Sequence, residues 1–436
     1  MLPDTAGRSA AGSLSVGGCD LLELAERFGT PLYVFDEATI RSRLRAYRDG
    51  LRGWPAGGEV LYSAKAYLSL AMVRILVEED CGADVVSGGE LEIVLRGGLP
   101  ASRIAFPGNN KSADELAAAL AAGIGHLVVD SEHELELLAR RGGGARVGAL
   151  LRVSPGVRPD THDHISTGQV DSKFGFGIGS GQAMAALRRA LDVAALDVRG
   201  LHMHIGSQIL ELSSHAAAVD AVAEFAAAAR EQLGFETRTL SAGGGLGIAH
   251  TTADRPPPIR EFMSVLTASV RQSFGARGLP LPGLHVEPGR SVVGPAGVAL
   301  YTIGARKAIP GIRTYVSVDG GMADNIRPEL YGARYQPLLV RDPEGAAVET
   351  VTIAGRYCES TDILVRDCPL PELMPGDILA VPAAGAYTLS MASNYNAGLR
   401  PAVIFVHDGI ARLVRRRETV DDLVRGEETG ATVPHL

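Results

Sequence analysis

Lys65 closes a short apolar run, Val60-Leu61-Tyr62-Ser63-Ala64-Lys65, in a chain whose other lysines are Lys111, Lys173 and Lys307. A lysine amine taken out of water gives up its proton readily and becomes a nucleophile that can form a Schiff base. Three further runs end in polar residues or glycine: one at His204-Ile205-Gly206-Ser207, one at Gly243-Gly244-Gly245-Leu246-Gly247, and one at Glu287-Pro288-Gly289-Arg290. Each has a plainer reading when taken alone. Lys65 could snorkel at the surface, His204 could be a hydrogen-bonded core histidine, the glycines could form only a tight turn, and Glu287 could pair with Arg290. Taken together they supply a Schiff-base lysine, a ring, main-chain amides for a phosphate and a carboxylate. These are the parts pyridoxal phosphate needs. A carboxylate facing the pyridine nitrogen keeps it protonated and makes the ring a strong electron sink, which suits decarboxylation.

The elements that must position these groups are predicted as alternating strands and helices. β-type runs fall at Val60–Ala64, Ala83–Ser87, Arg103–Phe106, His126–Asp130, Gly148–Val153, Gly200–Ile205, Thr239–Ala242 and Leu284–Glu287. Helical segments lie between them, at 68–79, 89–96, 112–122, 131–140, 182–193, 213–233 and 259–274. Ser112 with Glu115 and Ser131 with Glu134 have the spacing of helix N-caps. Eight such runs, after a helix at 37–52, predict an α/β fold with a (β/α)8 TIM barrel spanning 36–290; a doubly wound open sheet would also alternate, but the count of eight and the polar residues just after the strands favour the barrel, where chemistry sits at the C-terminal ends of the strands. After residue 290 short β-like runs take over, at 298–303, 314–318, 350–354, 377–381, 402–407 and 410–415. With residues 1–35 they predict a second domain, a β-sandwich or β-barrel over 291–436.

Composition narrows the function classes. The 436 residues carry a formal net charge of −8, which gives no reason to expect nucleic acid or an anionic membrane as a partner. Four cysteines, Cys19, Cys81, Cys358 and Cys368, have no CxxC spacing and suit a reducing compartment. Neither a signal-like apolar segment at the start nor a membrane-length apolar stretch is visible, so the expected setting is cytoplasmic.

The chain also resembles a known family. Tyr62-Ser63-Ala64-Lys65-Ala66, His204-Ile205-Gly206-Ser207-Gln208, Gly243-Gly244-Gly245, Glu287-Pro288-Gly289-Arg290 and Cys358-Glu359-Ser360 are similar to motifs of the alanine-racemase-fold PLP decarboxylases. Asp319-Gly320-Gly321-Met322-Ala323-Asp324-Asn325-Ile326-Arg327-Pro328-Glu329-Leu330-Tyr331, Asp171-Ser172-Lys173-Phe174-Gly175-Phe176 and Ser390-Met391-Ala392-Ser393-Asn394-Tyr395-Asn396 bring it nearest to the diaminopimelate decarboxylases within that family. The resemblance runs roughly from Asp20 to Arg425.

It implies decarboxylation of meso-2,6-diaminopimelate to L-lysine, the last step of lysine biosynthesis, by a homodimer with shared active sites. Lys65 would hold pyridoxal 5'-phosphate, His204 would stack on its ring and Glu287 would face its nitrogen. Ser207, Gly243, Gly244, Gly245, Gly289, Arg290 and Tyr387 would hold or flank the phosphate. Arg290, Arg327, Tyr331 and Tyr387 would meet the substrate, with the arginines on its distal carboxylate. Cys358, the proton donor, and Glu359, the partner of the distal ammonium, would come from the other subunit.

Two departures lie beside Cys358. The family often has Gly-Pro before the Cys-Glu pair where this chain has Gly355-Arg356-Tyr357, and Thr361 replaces a common glycine. They leave open a carrier-bound or otherwise modified amino acid as substrate. A metal-dependent barrel hydrolase is the reading from another class, built on His202-x-His204, His285-x-Glu287 and His162-x-His164. It leaves Lys65, the glycine loop and the C-terminal motifs without a role.

Overall fold

The computed structural model describes residues 1–141, 146–157, 172–428 and 430. The chain divides into two compact units, one of 39–249 and 253–295, the other of 1–38, 250–252 and 296–436.

The first unit is a closed barrel of parallel strands. In chain order they are Gly58–Ser63, Gly82–Asp84, Ile104–Phe106, His126–Val129, Val147–Ser154, Leu196–His202, Thr239–Ser241 and Gly283–Val286. Each pairs with the next, and Leu284 pairs with Gly58 to close the ring. Every predicted strand is present, with ends shifted by a few residues. The register places Ser63 beside Asp84 and puts His202 between Arg152 and Ser241. Polar side chains that end separate strands therefore share one rim of the barrel.

The turns that follow the strands repeat one device. Ser87, Ser112 and Ser131 each cap a helix by accepting the N–H of the residue three positions on, Glu90, Glu115 and Glu134. Each glutamate reaches back to the main chain: Glu90 accepts the Val86 N–H at 2.7 Å, Glu115 the Ser112 N–H at 2.9 Å and Glu134 the Asp130 N–H at 2.9 Å. Paired caps of this kind satisfy amides that a helix start leaves open. They also bring carboxylates close to the rim.

The second unit is built on a nine-stranded mixed sheet. Its long strand Gly297–Ile309 pairs antiparallel with Leu32–Asp36 and Ile378–Val381 in its first half and with Arg313–Val318 in its second. Leu32–Asp36 also pairs in parallel with Ala402–His407. Leu14, Leu21, Leu32, Val34, Val298, Leu300 and Ile404 form a buried cluster in this unit. Among the described residues no helix is long and apolar enough to cross a membrane.

Inside the barrel, His126 packs edge-on against His285 at 5.1 Å between centroids. Burial, followed by the repulsion of His285, pushes His126 down to about 3. An unfolded histidine takes its proton near pH 6.5. Between those values the unfolded chain binds more protons, so stability is lost as pH falls through the window. Melting curves of His126→Phe should therefore show a smaller drop in Tm between pH 7 and pH 5 than wild type. An unchanged drop would mean that His126 does not contribute to it.

Candidate active site

Lys65 sits in a single 3-10 turn, Ala64–Ala66, directly after the first barrel strand. It is half-buried, and three neighbours register its charge. Burial drives Asp84 upward, the negative charge of Glu287 adds to this, and Lys65 pulls the other way. Burial pushes Glu90 up to about 7, against the Val86 N–H and the attraction of Lys65. His204 lies well below the usual histidine range because of burial first, then repulsion from Lys65 and Arg152. The Gly244 N–H donates to its Nδ1 at 3.3 Å, so the neutral ring carries its proton on Nε2.

Glu287 is buried one residue beyond the last barrel strand, and both of its oxygens are engaged. His202 Nε2 donates to Oε2 at 3.1 Å, and the Ser241 hydroxyl donates to Oε1 at 2.5 Å. Burial alone would raise this carboxyl, but the pull of His202 and the two hydrogen bonds hold it below the usual range. Asp84 and Glu287 thus move apart, one raised and one lowered, as expected of two buried acids that oppose each other's charge. The simple Glu287–Arg290 pair considered from sequence is not needed for either residue: buried Arg290 donates to the Ser207 hydroxyl through Nε at 3.1 Å and Nη2 at 2.9 Å.

The glycine loop is bare main chain for steric reasons. A Cβ on Gly244 would meet the Glu287 carbonyl oxygen at 2.2 Å, and one on Gly243 the Met203 carbonyl oxygen at 2.5 Å. Gly243 and Gly245 also have positive φ, of 67° and 113°. At Gly289 a Cβ would touch Ala66 Cβ at 3.0 Å and Ser63 Cβ at 3.1 Å, which packs the turn carrying Arg290 against the turn carrying Lys65.

The second unit holds the remaining predicted residues in two groups. Buried Arg327 lies 5.4 Å from the Tyr331 ring centroid and 5.8 Å from that of Tyr387, distances at which a guanidinium is attracted to both rings. Cys358 and Glu359 are exposed on a loop. The Cys358 N–H donates to Asn396 Oδ1 at 3.0 Å, and the Tyr395 hydroxyl donates to Glu359 at 2.6 Å. Asp362 braces this loop by accepting the Tyr357 N–H at 2.8 Å and the Met322 N–H at 2.7 Å. The departure at Arg356 has a physical consequence: its N–H donates to the Gly320 carbonyl at 3.0 Å, a bond that proline could not make.

Comparison with known proteins gives these groups a context. Residues 37–294 match the family model described as pyridoxal-dependent decarboxylase, pyridoxal binding domain. The diaminopimelate decarboxylase of Halalkalibacterium halodurans is 46% identical over 416 residues, 95% of each chain, and that of Bacillus subtilis is 44% identical over 97% of each. The crystal structure of diaminopimelate decarboxylase from M. jannaschii in complex with L-lysine matches with a TM-score of 0.91 at 35% identity, over 99% of both chains. The chain belongs to the diaminopimelate decarboxylase family.

The chain is a PLP-dependent decarboxylase, and its barrel fits the cofactor: a loop that tolerates no Cβ offers main-chain amides, and a buried carboxylate is held ionised. Metal chemistry finds no site among the described residues. His202 is committed to Glu287, while His162 and His164 lie outside those residues, as does Asp171 of the phenylalanine-rich motif. Sequence reasoning passed over Asp84, Glu90, Arg152 and Ser241, and it read His202 only as a metal ligand. Asp84 and Arg152 carry the signal that picked out Lys65, a charge at the end of an apolar run. Arg152 pairs with Asp130 at 3.1 Å and lies 4.4 Å from the Phe174 ring.

Gly244→Ala should weaken cofactor retention about tenfold or more, equivalent to about 1.4 kcal/mol, measured by equilibrium dialysis. Gly275→Ala, in a helix with open space around it, is the control and should leave retention unchanged. Equal retention in the two variants would show that the loop's close approach to Glu287 is not required.

Proposed function

We propose that this protein decarboxylates meso-2,6-diaminopimelate to L-lysine and carbon dioxide, as its relatives' name implies. The observation that carries the reading is the 46% identity to a diaminopimelate decarboxylase over 95% of both chains, joined to a site whose donors suit a substrate with two amino-acid ends. When bound, pyridoxal phosphate supplies the electron sink for the pair left behind as carbon dioxide departs. Every other part belongs to the chain. Lys65 Nζ would hold the cofactor, with Asp84 and Glu90 setting the charge around that nitrogen. Glu287 would keep a proton at the ring nitrogen, and neutral His204 would stack on the ring. Ser207, Gly243–Gly245, Gly289, Arg290 and Tyr387 hold or flank the phosphate.

The distal end of the substrate is a zwitterion. Arg327, with Tyr331 and Tyr387 beside it, and Arg290 of the barrel suit its carboxylate, because a guanidinium binds a planar anion through two parallel bonds. Glu359 suits its ammonium. Cys358 delivers the proton to the carbon that loses carbon dioxide. We place Cys358 and Glu359 in the site of a second subunit, in a cytoplasmic homodimer. Their exposure on the surface of their own unit supports that arrangement.

Purified protein should release carbon dioxide from meso-diaminopimelate and far less from lysine, ornithine, arginine or glutamate. Borohydride should fix the cofactor on Lys65, and Lys65→Ala should lose activity by orders of magnitude. Preference for another substrate in that panel, or attachment at another lysine, overturns the reading.

The shared site has its own test. Lys65→Ala and Cys358→Ala, each inactive alone, should regain about a quarter of wild-type activity when mixed one to one, since half the dimers are hybrids with one intact site. Mixtures that exchange subunits and stay inactive mean that Cys358 serves its own chain.

A further inference from the structure

We propose that His202 is a positioning residue that holds Glu287 as an oriented carboxylate toward the cofactor's ring nitrogen, with Ser241 as the second clamp. The proposal rests on the reading of Glu287 given above and adds what makes that role physically available. His202 is the last residue of its barrel strand and Ser241 is its register partner on the next. They approach Glu287 from adjacent strands and take one oxygen each, at 3.1 Å and 2.5 Å. The Glu287 N–H donates to the Gly243 carbonyl at 2.8 Å, so the main chain is pinned as well. His202, Ser241 and Glu287 are 1%, 0% and 6% exposed, which leaves water little access to replace a missing donor.

The chemistry fixes the direction of the histidine bond. A carboxylate only accepts, so Nε2 of His202 carries the hydrogen. His204, two residues on, has left the strand and instead accepts the Gly244 N–H. The two imidazoles of the His-x-His run therefore do different work, although a metal reading would treat them as a pair.

The groups facing Glu287 are His202 and His204 from one side, Ser241 from the neighbouring strand, Asp84 across the rim, and His285 on its own strand. Lys65 faces Asp84. Replacing His202 with leucine leaves one carboxylate oxygen buried without a donor. Burial then favours the protonated acid, and an acid that already holds its proton cannot stabilise a proton on the ring nitrogen.

Infrared spectroscopy of cofactor-free protein reads this directly. His202→Leu should show, near neutral pH, protonated-carboxyl absorption beyond that of wild type, where the raised Asp84 and Glu90 already contribute, and the excess should vanish in the double variant with Glu287→Gln. In the loaded enzyme the acid limb of the kcat profile should move to higher pH. At neutral pH kcat should fall about 10–100-fold with KM within about threefold. His202→Gln, which can return an N–H to the same oxygen, should recover most of the loss.

A folded His202→Leu protein without the excess absorption and with an unshifted acid limb overturns the proposal. Equal behaviour of the leucine and glutamine variants also overturns it, because the ring would then only fill space. If His202→Leu does not fold, Ser241→Ala takes its place: an alkaline shift of the acid limb supports the clamp, and no shift overturns it. Failure to decarboxylate diaminopimelate would sink the substrate reading but leave the infrared result standing, so the two are separable.

Discussion

An ionised carboxylate removed from water must be given donors in return, or it takes up a proton. Glu287 is where that constraint meets the proposed chemistry. Its two donors come from neighbouring strands and its main chain is tied to the glycine loop, so the site depends on the register of three parallel strands. A slip of one residue in any of them would turn the donors to the other side of the sheet. The closed ring excludes such a slip, because each strand is held on both edges.

The same constraint accounts for Asp84. Two buried acids at one rim oppose each other's charge, and the donors are unequally shared. Glu287 has a histidine and a hydroxyl, whereas Asp84 has the Ser63 hydroxyl at 2.7 Å. Glu287 is therefore held as the anion, and Asp84 is the acid of the two that takes up a proton more readily. Lys65 lies beside the acid that is easier to neutralise, in a field that changes with that acid's protonation.

Much of this was legible in the sequence, for reasons that can be named. Eight apolar runs with capped helices between them specify a barrel, and chemistry at the ends of barrel strands follows from the fold. Lys65, His204, the glycine loop and Glu287 could therefore be placed on one rim. What could not be read was lateral register. Nothing in His202-Met203-His204 says that the first histidine faces Glu287 and the second the Gly244 amide. The β-unit shows the same limit. Leu32–Asp36, a β-prone run, was not read as a strand because its partners cannot be seen locally: it lies between Gly297–Ile309 and Ala402–His407, strands far away in the chain. Ile363–Leu370 was hidden by Arg366, Asp367 and Pro369; it pairs with Glu349–Ala354, at the edge of the sheet among the described residues, where proline is tolerated.

The departures beside Cys358 acquire a meaning that sequence comparison alone does not supply. With arginine in place of proline at 356, the loop gains a main-chain bond to Gly320, in the turn whose Gly321 allows close approach of Asp362. A proline would stiffen the loop by restricting its own backbone; the arginine N–H restrains it by tying it to a neighbour. Both limit where Cys358 can point. The bond also links the Cys358 loop to the segment that continues into Arg327 and Tyr331. In this chain the proposed proton donor and two of the proposed carboxylate-binding residues, Arg327 and Tyr331, thus share one braced piece of backbone, and a proline at 356 would remove the bond that ties them together.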